Sequence, residues 1–212
     1  MAVCNGKIGI GSEAPKFKVP GFDALKGRFE TYALEDYIGS YILLFFYPGD
    51  FTYVCPTELV ALAALKDQFE SVGVKVFVVS TDSKFSHKNW NELELSEALG
   101  NNYPYPMLSD TLGTIGSPYG IFNEEDGVDL RGVVLIDKKS VIQLVYINAA
   151  PLGRNPKELL RLAMALKEHD AHGGVIPACW VPGDDTIDPT VDNSGKMWAN
   201  YKGILENEKK GA

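Results

Sequence analysis

The chain has 212 residues, of which 45% are hydrophobic, and a formal net charge of −8. This length is enough to bury a full core in one medium-sized domain, or in one domain with an arm. The negative charge argues against general nucleic-acid binding, and no stretch is long and apolar enough to span a membrane. The N-terminus lacks the apolar region of a secretory signal, so a cytoplasmic location is expected.

The first part of the chain predicts loose or short elements followed by a buried strand. Residues 1–12 are rich in glycine, and residues 20–34 have the pattern of a hairpin or turn. The run Tyr41–Tyr47 contains only apolar and aromatic residues, which is typical of a buried strand. Pro48, with the glycine and aspartate after it, ends that strand.

The next segment predicts a helix and a second buried strand. The helix begins near Cys55, where Pro56 suits the first turn because its missing N–H would be unpaired there anyway. It carries one apolar stripe and ends near Gly73. Residues 74–81, VKVFVVST, form the second strand. A strand, a helix and a strand at this spacing predict a parallel unit with a right-handed crossover.

The second half of the chain alternates helices with a hairpin. Ser83 is predicted to cap a helix that runs through Leu99, and residues 109–119 are predicted to form a short helix capped by serine or aspartate. Residues 131–147 contain two apolar runs joined by a short polar turn, which predicts a β-hairpin. Asn155 is predicted to cap the next helix, with Glu158 three residues later.

The composition changes after Ala171, where glycine, proline and aspartate become frequent. We therefore expect a domain over residues 1–171 and a C-terminal arm over residues 172–212. Within the arm, residues 194–211 have the pattern of a terminal helix. The predicted fold class is α/β, with a central mixed sheet flanked by helices, an N-terminal extension and the C-terminal arm.

Cys55 is predicted to lie where a buried strand has ended and a helix begins. The unpaired N–H groups and the dipole of a helix N-terminus favour negative charge, and the thiolate is the nucleophilic form of cysteine. Thr52 can place a hydroxyl beside the sulfur, and Pro48 can shield it. A buried structural cysteine is the alternative for an isolated residue. The proline and the threonine at fixed offsets favour the reactive cysteine.

The chain has three cysteines, Cys4, Cys55 and Cys179, which cannot form a disulfide framework. In a reducing compartment, a few well-placed thiols suggest transient redox chemistry. His169 and His172 lie close to Cys179 in sequence, but their spacing matches no common zinc pattern. Neither a metal nor another cofactor is therefore predicted.

The pattern Pro48-x-x-x-Thr52-x-x-Cys55, within FYPGDFTYVCPTEL, resembles the active-site signature of the peroxiredoxins. More narrowly, it resembles their typical two-cysteine branch, which includes the bacterial alkyl hydroperoxide reductase subunit. The resemblance runs from APKFKVPGF near the start to PGDDTIDPT near residue 190. It implies a thioredoxin-like fold and a peroxidase that reduces hydrogen peroxide and organic hydroperoxides through a Cys55 sulfenic acid.

The same resemblance implies partners and further site residues. Thioredoxin or a similar dithiol would be the reductant, and homodimers would associate into a decamer. A peroxidase needs donors around the developing oxyanion, and arginine offers several donors in a fixed fork. The chain has four arginines. By resemblance, Arg131 faces the cysteine and the peroxide, Arg154 is the second arginine of the site, and Glu58 orients the pair.

The C-terminal arm departs from the family pattern. Typical members place the resolving cysteine immediately before the proline of VCPAxW, whereas this chain has VIPACW, with Ile176 there and Cys179 three residues later. Two interpretations stay open. Cys179 of the partner subunit resolves the sulfenic acid of Cys55, or Cys179 packs beside Trp180 and leaves a one-cysteine peroxidase. Cys4 could substitute as the resolving thiol.

Family members that are easily inactivated carry a Gly-Gly-Leu-Gly insertion and a Tyr-Phe pair in the last helix. The corresponding regions here read SEALGNNYPYP and KMWANYKGI, which favours a robust scavenger.

Two other functions compete with peroxide reduction. A thioredoxin-type disulfide oxidoreductase requires Cys-x-x-Cys, and this chain has Cys55-Pro56-Thr57-Glu58 instead. A holdase chaperone assembly with minor peroxidase activity is neither supported nor opposed by the residues.

Overall fold

The computed structural model describes residues 9–197. Its strands are β1 (Lys18–Asp23), β2 (Arg28–Ala33), β3 (Tyr41–Phe46), β4 (Val74–Ser80), β5 (Met107–Ser109), β6 (Phe122–Asn123), β7 (Val128–Asp129), β8 (Arg131–Ile136) and β9 (Ile142–Asn148). Its α-helices are α1 (Cys55–Ala63), α2 (Lys66–Val72), α3 (Lys84–Trp90), α4 (Ser96–Leu99) and α5 (Pro156–His172). A π-helical segment, Asn91–Leu95, joins α3 to α4, and short 3-10 turns occupy Leu34–Tyr37 and Val191–Asn193.

One sheet of seven strands organises the fold, in the order β2-β1-β5-β4-β3-β8-β9. Strands β3, β4 and β5 run parallel to one another, while the outer pairs are antiparallel, so the sheet is mixed. The predicted parallel unit is confirmed as β3–β4, and the predicted hairpin is confirmed as β8–β9. Strands β6 and β7 pair separately.

Strand β3 lies at the centre of the core. All six of its residues are buried, which explains why Tyr41–Phe46 reads as an unbroken apolar run rather than an alternating one. Ile42, Leu44 and Phe46 join the hydrophobic cluster on one face of the sheet. The carboxyl end of this rigid strand therefore fixes where the segment after Phe46 begins.

The helices begin and end largely where their capping residues predict. Ser83 caps α3, because its hydroxyl accepts a hydrogen bond of 3.1 Å from the Ser86 amide. The single helix predicted after Cys55 is divided into α1 and α2. Helix α2 ends at Gly73, whose φ of +84° is a left-handed conformation that glycine adopts without strain.

The short helix predicted over residues 109–119 is wrong, because this segment is a series of turns. Gly113 adopts a left-handed φ of +65°, which is incompatible with a continuous right-handed helix. The Asp110 carboxylate accepts hydrogen bonds from the amides of Ile115 and Gly116, at 2.8 and 2.7 Å. Asp110 therefore accepts from backbone amides that follow it, as a helix cap would, but the structure that it stabilises is a series of turns.

The chain divides into two compact units, Met1–Lys157 and Glu158–Ala212. The first unit contains both sheets and helices α1 to α4. The described part of the second contains most of α5 and an extended segment in which Val175 and Ile187 form an antiparallel bridge. Cys4 and most of the predicted terminal helix lie outside the described residues. Within residues 9–197, no helix is long and apolar enough to cross a membrane.

Candidate active site

Cys55 is the first residue of α1, a few residues beyond the carboxyl end of β3. Val54 occupies the N-cap position and Pro56 lies in the first turn, as the sequence predicts. Cys55 exposes 0% of its surface. The sulfur therefore belongs to a buried site at a helix N-terminus rather than to the open surface.

Arg131 reaches Cys55 from the neighbouring strand. It is the first residue of β8, which pairs with β3 in the sheet. Its Nη1 atom lies 3.3 Å from the Cys55 sulfur and donates to Glu58 Oε2 at 2.8 Å. Its Nε atom donates to the Ala150 carbonyl at 2.6 Å. The guanidinium is thus fixed on two sides before any substrate is present.

Glu58 lies one helical turn after Cys55, so both side chains project from the same face of α1. Its two carboxylate oxygens accept from Nε and Nη2 of Arg154 at 2.8 and 2.9 Å, and the Arg154 amide donates to Oε1 at 2.7 Å. Nη1 of Arg154 donates to the carbonyls of Phe46 and Gly132, at 2.6 and 2.7 Å. This paired geometry is the strong form of an arginine–carboxylate interaction.

The charges of this cluster favour an anion at the sulfur. Burial raises the pKa of Glu58, but the hydrogen bonds and charge of Arg154, together with the charge of Arg131, outweigh burial and hold that pKa below its ordinary value. Two guanidiniums and one carboxylate give a net charge of +1 (+2 − 1) beside Cys55. A thiolate at Cys55 would bring the buried cluster to neutrality, which lowers the cost of burying it.

Thr52 and Pro48 belong to the loop that leads into α1. The Thr52 hydroxyl donates to the Gly49 carbonyl at 2.9 Å. Since its one proton is used there, its oxygen is left as an acceptor for a neighbouring hydroxyl. Pro48 is half-buried where β3 ends. The sequence predicts both residues to be near Cys55, and both lie in the loop that joins β3 to α1.

A buried polar network under the same loop is missed by the sequence analysis. Asp50 accepts from the Tyr47 hydroxyl at 2.8 Å and lies 2.9 Å from Nδ1 of His87. Nε2 of His87 lies 3.2 Å from the Leu108 carbonyl. The sequence signal for a buried His87 is its spacing from Trp90. The two residues are three positions apart, which places them on the same, buried face of α3.

Cys179 belongs to the second unit, where it occupies a tight turn. The Trp180 amide donates to the Pro177 carbonyl at 3.4 Å, and Cys179 adopts a left-handed φ of +60°. Trp180 is buried, and its carbonyl accepts from Nη1 of Arg161 at 2.8 Å. Cys179 itself is exposed. The hydrogen bond and the charge of Glu158 raise the pKa of Arg161 against the opposing effect of burial, and Cys179 makes a smaller electrostatic contribution in the same direction as Glu158.

Comparison with known proteins identifies the family of this chain. The sequence model of the AhpC/TSA family matches residues 10–145, and that of the C-terminal domain of 1-Cys peroxiredoxin matches residues 165–200. Peroxiredoxin-2 of Bos taurus is 40% identical over 198 residues, which cover 93% of this chain and 98% of that protein.

Solved structures give the same result. The reduced 2-Cys peroxiredoxin of Plasmodium vivax superposes with a TM-score of 0.84 at 34% identity, over 90% of this chain and 98% of that one. The thioredoxin peroxidase I of Plasmodium yoelii has a TM-score of 0.71 at 39% identity, over 82% of this chain and 100% of that one.

The fold and the cysteine site define a thiol-dependent peroxidase with a thioredoxin-like α/β fold. The chain belongs to the AhpC/TSA family, the peroxiredoxins. The predicted fold class, enzyme class and family are therefore confirmed.

Proposed function

We propose that Cys55 is the nucleophile that attacks the peroxide, and that Arg131, Glu58, Arg154, Thr52 and Pro48 form its site. The observation that carries this proposal is the 3.3 Å contact between Nη1 of Arg131 and the Cys55 sulfur, inside a buried cluster with a net positive charge. A fixed cation beside a helix N-terminal cysteine favours the thiolate, which is the reactive form.

The first step is a two-electron oxidation of the sulfur. The thiolate attacks one peroxide oxygen, an S–O bond forms, and the O–O bond breaks with its electron pair on the leaving oxygen. That oxygen takes a proton and departs as water or an alcohol, and Cys55 becomes a sulfenic acid. Arg131 stabilises the developing oxyanion, while Glu58 and Arg154 hold Arg131 in place. Thr52 accepts a hydrogen bond from the hydroxyl of the peroxide, and Pro48 shields the sulfur.

The second step is resolution by Cys179 of a partner subunit. Its thiolate attacks the sulfenic sulfur, a disulfide forms, and hydroxide leaves and is protonated to water. A dithiol protein such as thioredoxin then reduces the disulfide by exchange and is itself oxidised. The exposure of Cys179 supports this role, as do the two solved relatives, described as a 2-Cys peroxiredoxin and a thioredoxin peroxidase.

The subunit arrangement that we propose follows from this role. Residues 1–171 form the peroxidase domain, and residues 172–212 form an arm that carries the resolving thiol to its partner in a homodimer. Homodimers assemble into a decamer in the cytoplasm, and hydrogen peroxide and organic hydroperoxides are the substrates.

The direct test is peroxide consumption by Cys55→Ser, with Cys4→Ser as the matched cysteine control. We expect the folded Cys55→Ser protein to lose turnover completely, because a hydroxyl at that position is not a thiolate nucleophile. The Cys4→Ser protein should keep its activity. Appreciable peroxide reduction by folded Cys55→Ser would defeat the proposal.

A one-cysteine peroxidase is the second candidate. The match of residues 165–200 to the C-terminal domain of 1-Cys peroxiredoxin favours it, since that region contains Cys179 in a non-standard place. In that case a small thiol would reduce the sulfenic acid directly.

A further inference from the structure

The loop between β3 and α1 contains a strained residue immediately before Thr52. Phe51 adopts φ of +53°, a left-handed conformation that is rare for a bulky side chain. The residue is 53% exposed, and its ring centroid is 6.2 Å from that of Trp90. Little of the strain is therefore offset by burial of Phe51 itself. Strained residues persist only where the surrounding structure holds them in place.

The neighbour of Phe51 is held by two buried groups. The Asp50 carboxylate lies 2.9 Å from Nδ1 of His87 and 2.8 Å from the Tyr47 hydroxyl, and the side chains of Asp50 and His87 are only 1% and 0% exposed. Nε2 of His87 faces the Leu108 carbonyl at 3.2 Å. Because a carboxylate only accepts, Nδ1 of His87 donates to Asp50. The two side chains are thus joined by a buried hydrogen bond.

A third contact holds the backbone of the same residue. The Asp50 amide donates to Asp82 Oδ2 at 2.8 Å, and the Ser80 hydroxyl donates to the same oxygen at 2.8 Å. The Ser109 hydroxyl donates to the Asp82 carbonyl at 2.5 Å. Ser80 and Ser109 are the last residues of β4 and β5. Asp50 is therefore fixed to the sheet through its amide and to α3 through its side chain.

From this geometry we infer that His87 and Asp50 are positioning residues for peroxide reduction. Their buried hydrogen bond holds the strained turn at Phe51, and that turn sets the position of the Thr52 hydroxyl, which the bond to Gly49 then orients. The inference rests on the proposed function, in which Thr52 accepts from the peroxide while Cys55 attacks it. Loss of the pair displaces Thr52 without removing the thiol or Arg131.

The test compares two reactions of Cys55 in the same protein. Stopped-flow measurement gives the rate of the first reaction with hydrogen peroxide, which uses Thr52. Peptide mass spectrometry gives the rate of Cys55 alkylation by iodoacetamide, a reaction that does not use the Thr52 hydroxyl. We expect His87→Leu to lower the peroxide rate about 10- to 100-fold, as displaced catalytic groups do, with the alkylation rate within about threefold of wild type. His87→Asn, whose amide can keep the bond to Asp50, should retain much more of the peroxide rate.

Two controls make the comparison specific. Arg131→Ala should lower both rates, because it removes charge from the sulfur itself. His172→Leu should change neither rate, since its side chain is 65% exposed and pairs with Glu168 on α5.

The inference is overturned if folded His87→Leu keeps a peroxide rate within about twofold of wild type, or if both rates fall together. If His87→Leu does not fold, the same comparison is made with Asp50→Asn. A selective loss of about threefold or more in the peroxide rate then supports the inference, and a parallel or absent loss overturns it. A wild-type protein that fails to reduce peroxide would instead defeat the proposed function.

Discussion

Nη1 of Arg131 lies 3.3 Å from the sulfur of Cys55, although 76 positions separate the two residues in the chain. The sheet creates this contact, because Arg131 begins β8, and β8 pairs with the strand that precedes the cysteine loop. Glu58 and the Ala150 carbonyl both accept from the same guanidinium. The donors are therefore fixed in place before a peroxide arrives, which is the arrangement that stabilises a developing oxyanion most effectively.

Replacement of Arg131 by alanine should slow the first reaction with peroxide. Removal of one oxyanion donor typically costs about 10²–10³ in rate, and Arg131→Ala also removes the cation beside the sulfur. Stopped-flow fluorescence at several peroxide concentrations measures the effect. Arg28→Ala is the matched control, because that side chain is 64% exposed and should leave the rate unchanged. A rate for Arg131→Ala within a few-fold of wild type would place Arg131 outside the reaction.

Glu58 should matter for stability as well as for activity. Glu58→Gln leaves the buried guanidiniums of Arg131 and Arg154 without a counter-charge, and breaking a buried pair from one side typically costs about 3–5 kcal/mol. Urea unfolding of the variant should show a lower free energy of unfolding by about this amount. Glu35→Gln is the control, since the Glu35 side chain, which pairs with Lys16, is 57% exposed. An exposed ion pair contributes less than about 1 kcal/mol to stability. Equal effects of the two variants would contradict the prediction.

Asp129 is an unusual carboxyl group in β7. It is fully buried, and neither of its oxygens has a hydrogen-bond partner among residues 9–197. Burial, with a smaller effect from the charge of Asp110, raises the pKa of Asp129 to about 8. A Cβ atom on Gly116 would clash with Oδ1, so the backbone of Gly116 packs closely against this carboxyl. The folded protein therefore holds Asp129 as a neutral acid at pH 7.

The raised pKa of Asp129 predicts a pH dependence of stability with a definite sign. An unfolded aspartate loses its proton near pH 4, whereas folded Asp129 keeps it until about pH 8. Its contribution to stability is thus fully present below about pH 4 and is lost as the pH rises towards 8. Asp129→Asn lacks this dependence, so its stability relative to wild type should grow with pH, by at most ~1.4 kcal/mol per unit.

Urea unfolding at several pH values between 5 and 8 measures this difference. Asp67→Asn is the control, because its side chain is 97% exposed. Parallel stability curves for wild type and Asp129→Asn would contradict the assignment of a neutral Asp129.

Local sequence patterns predict the parts of this fold that depend on neighbouring residues. The run Tyr41–Tyr47 predicts β3, and the polar turn between two apolar runs predicts the β8–β9 hairpin, because burial and turn chemistry are both read locally. The contact between Arg131 and Cys55 depends on which strands pair. Residue patterns alone do not specify that pairing, and only the family resemblance supplied it.

The network under the cysteine loop could not be predicted for a different reason. Phe51 has no intrinsic preference for a left-handed backbone, and we attribute its conformation to the contact between Asp50 and His87, which are 37 positions apart in the chain. A histidine within a polar segment such as SHKNWN reads as solvated, and its burial follows only from the packing of α3 against the sheet. Asp129 is equally unpredictable, because isolated carboxyls are rarely buried without partners.

The geometry of the turn at Cys179 gives a test that does not depend on redox chemistry. A left-handed backbone costs a side chain with a Cβ atom roughly 1–2 kcal/mol, and glycine avoids this cost. Cys179→Gly should therefore raise the free energy of unfolding by about 1 kcal/mol relative to Cys179→Ser, measured in urea under reducing conditions. Equal stabilities would mean that the turn relaxes and that the left-handed conformation is not required.

Cys179 should also form the disulfide that completes the catalytic cycle. Peroxide-treated wild type is expected to run as a disulfide-linked dimer on non-reducing gels, because the proposed cycle ends in a disulfide between Cys55 and the exposed Cys179 of another subunit. Cys179→Ser should lose that band, whereas Cys4→Ser should keep it. The first turnover should persist in Cys179→Ser, since sulfenic acid formation needs only Cys55, but cycling with thioredoxin should fail.

Mass spectrometry of the oxidised protein decides which cysteine pairs with Cys55. A Cys55–Cys179 peptide supports the two-cysteine cycle, while a Cys55–Cys4 peptide, or a persistent sulfenic acid with an unmodified Cys179 thiol, would leave the one-cysteine or Cys4-resolved mechanism in its place.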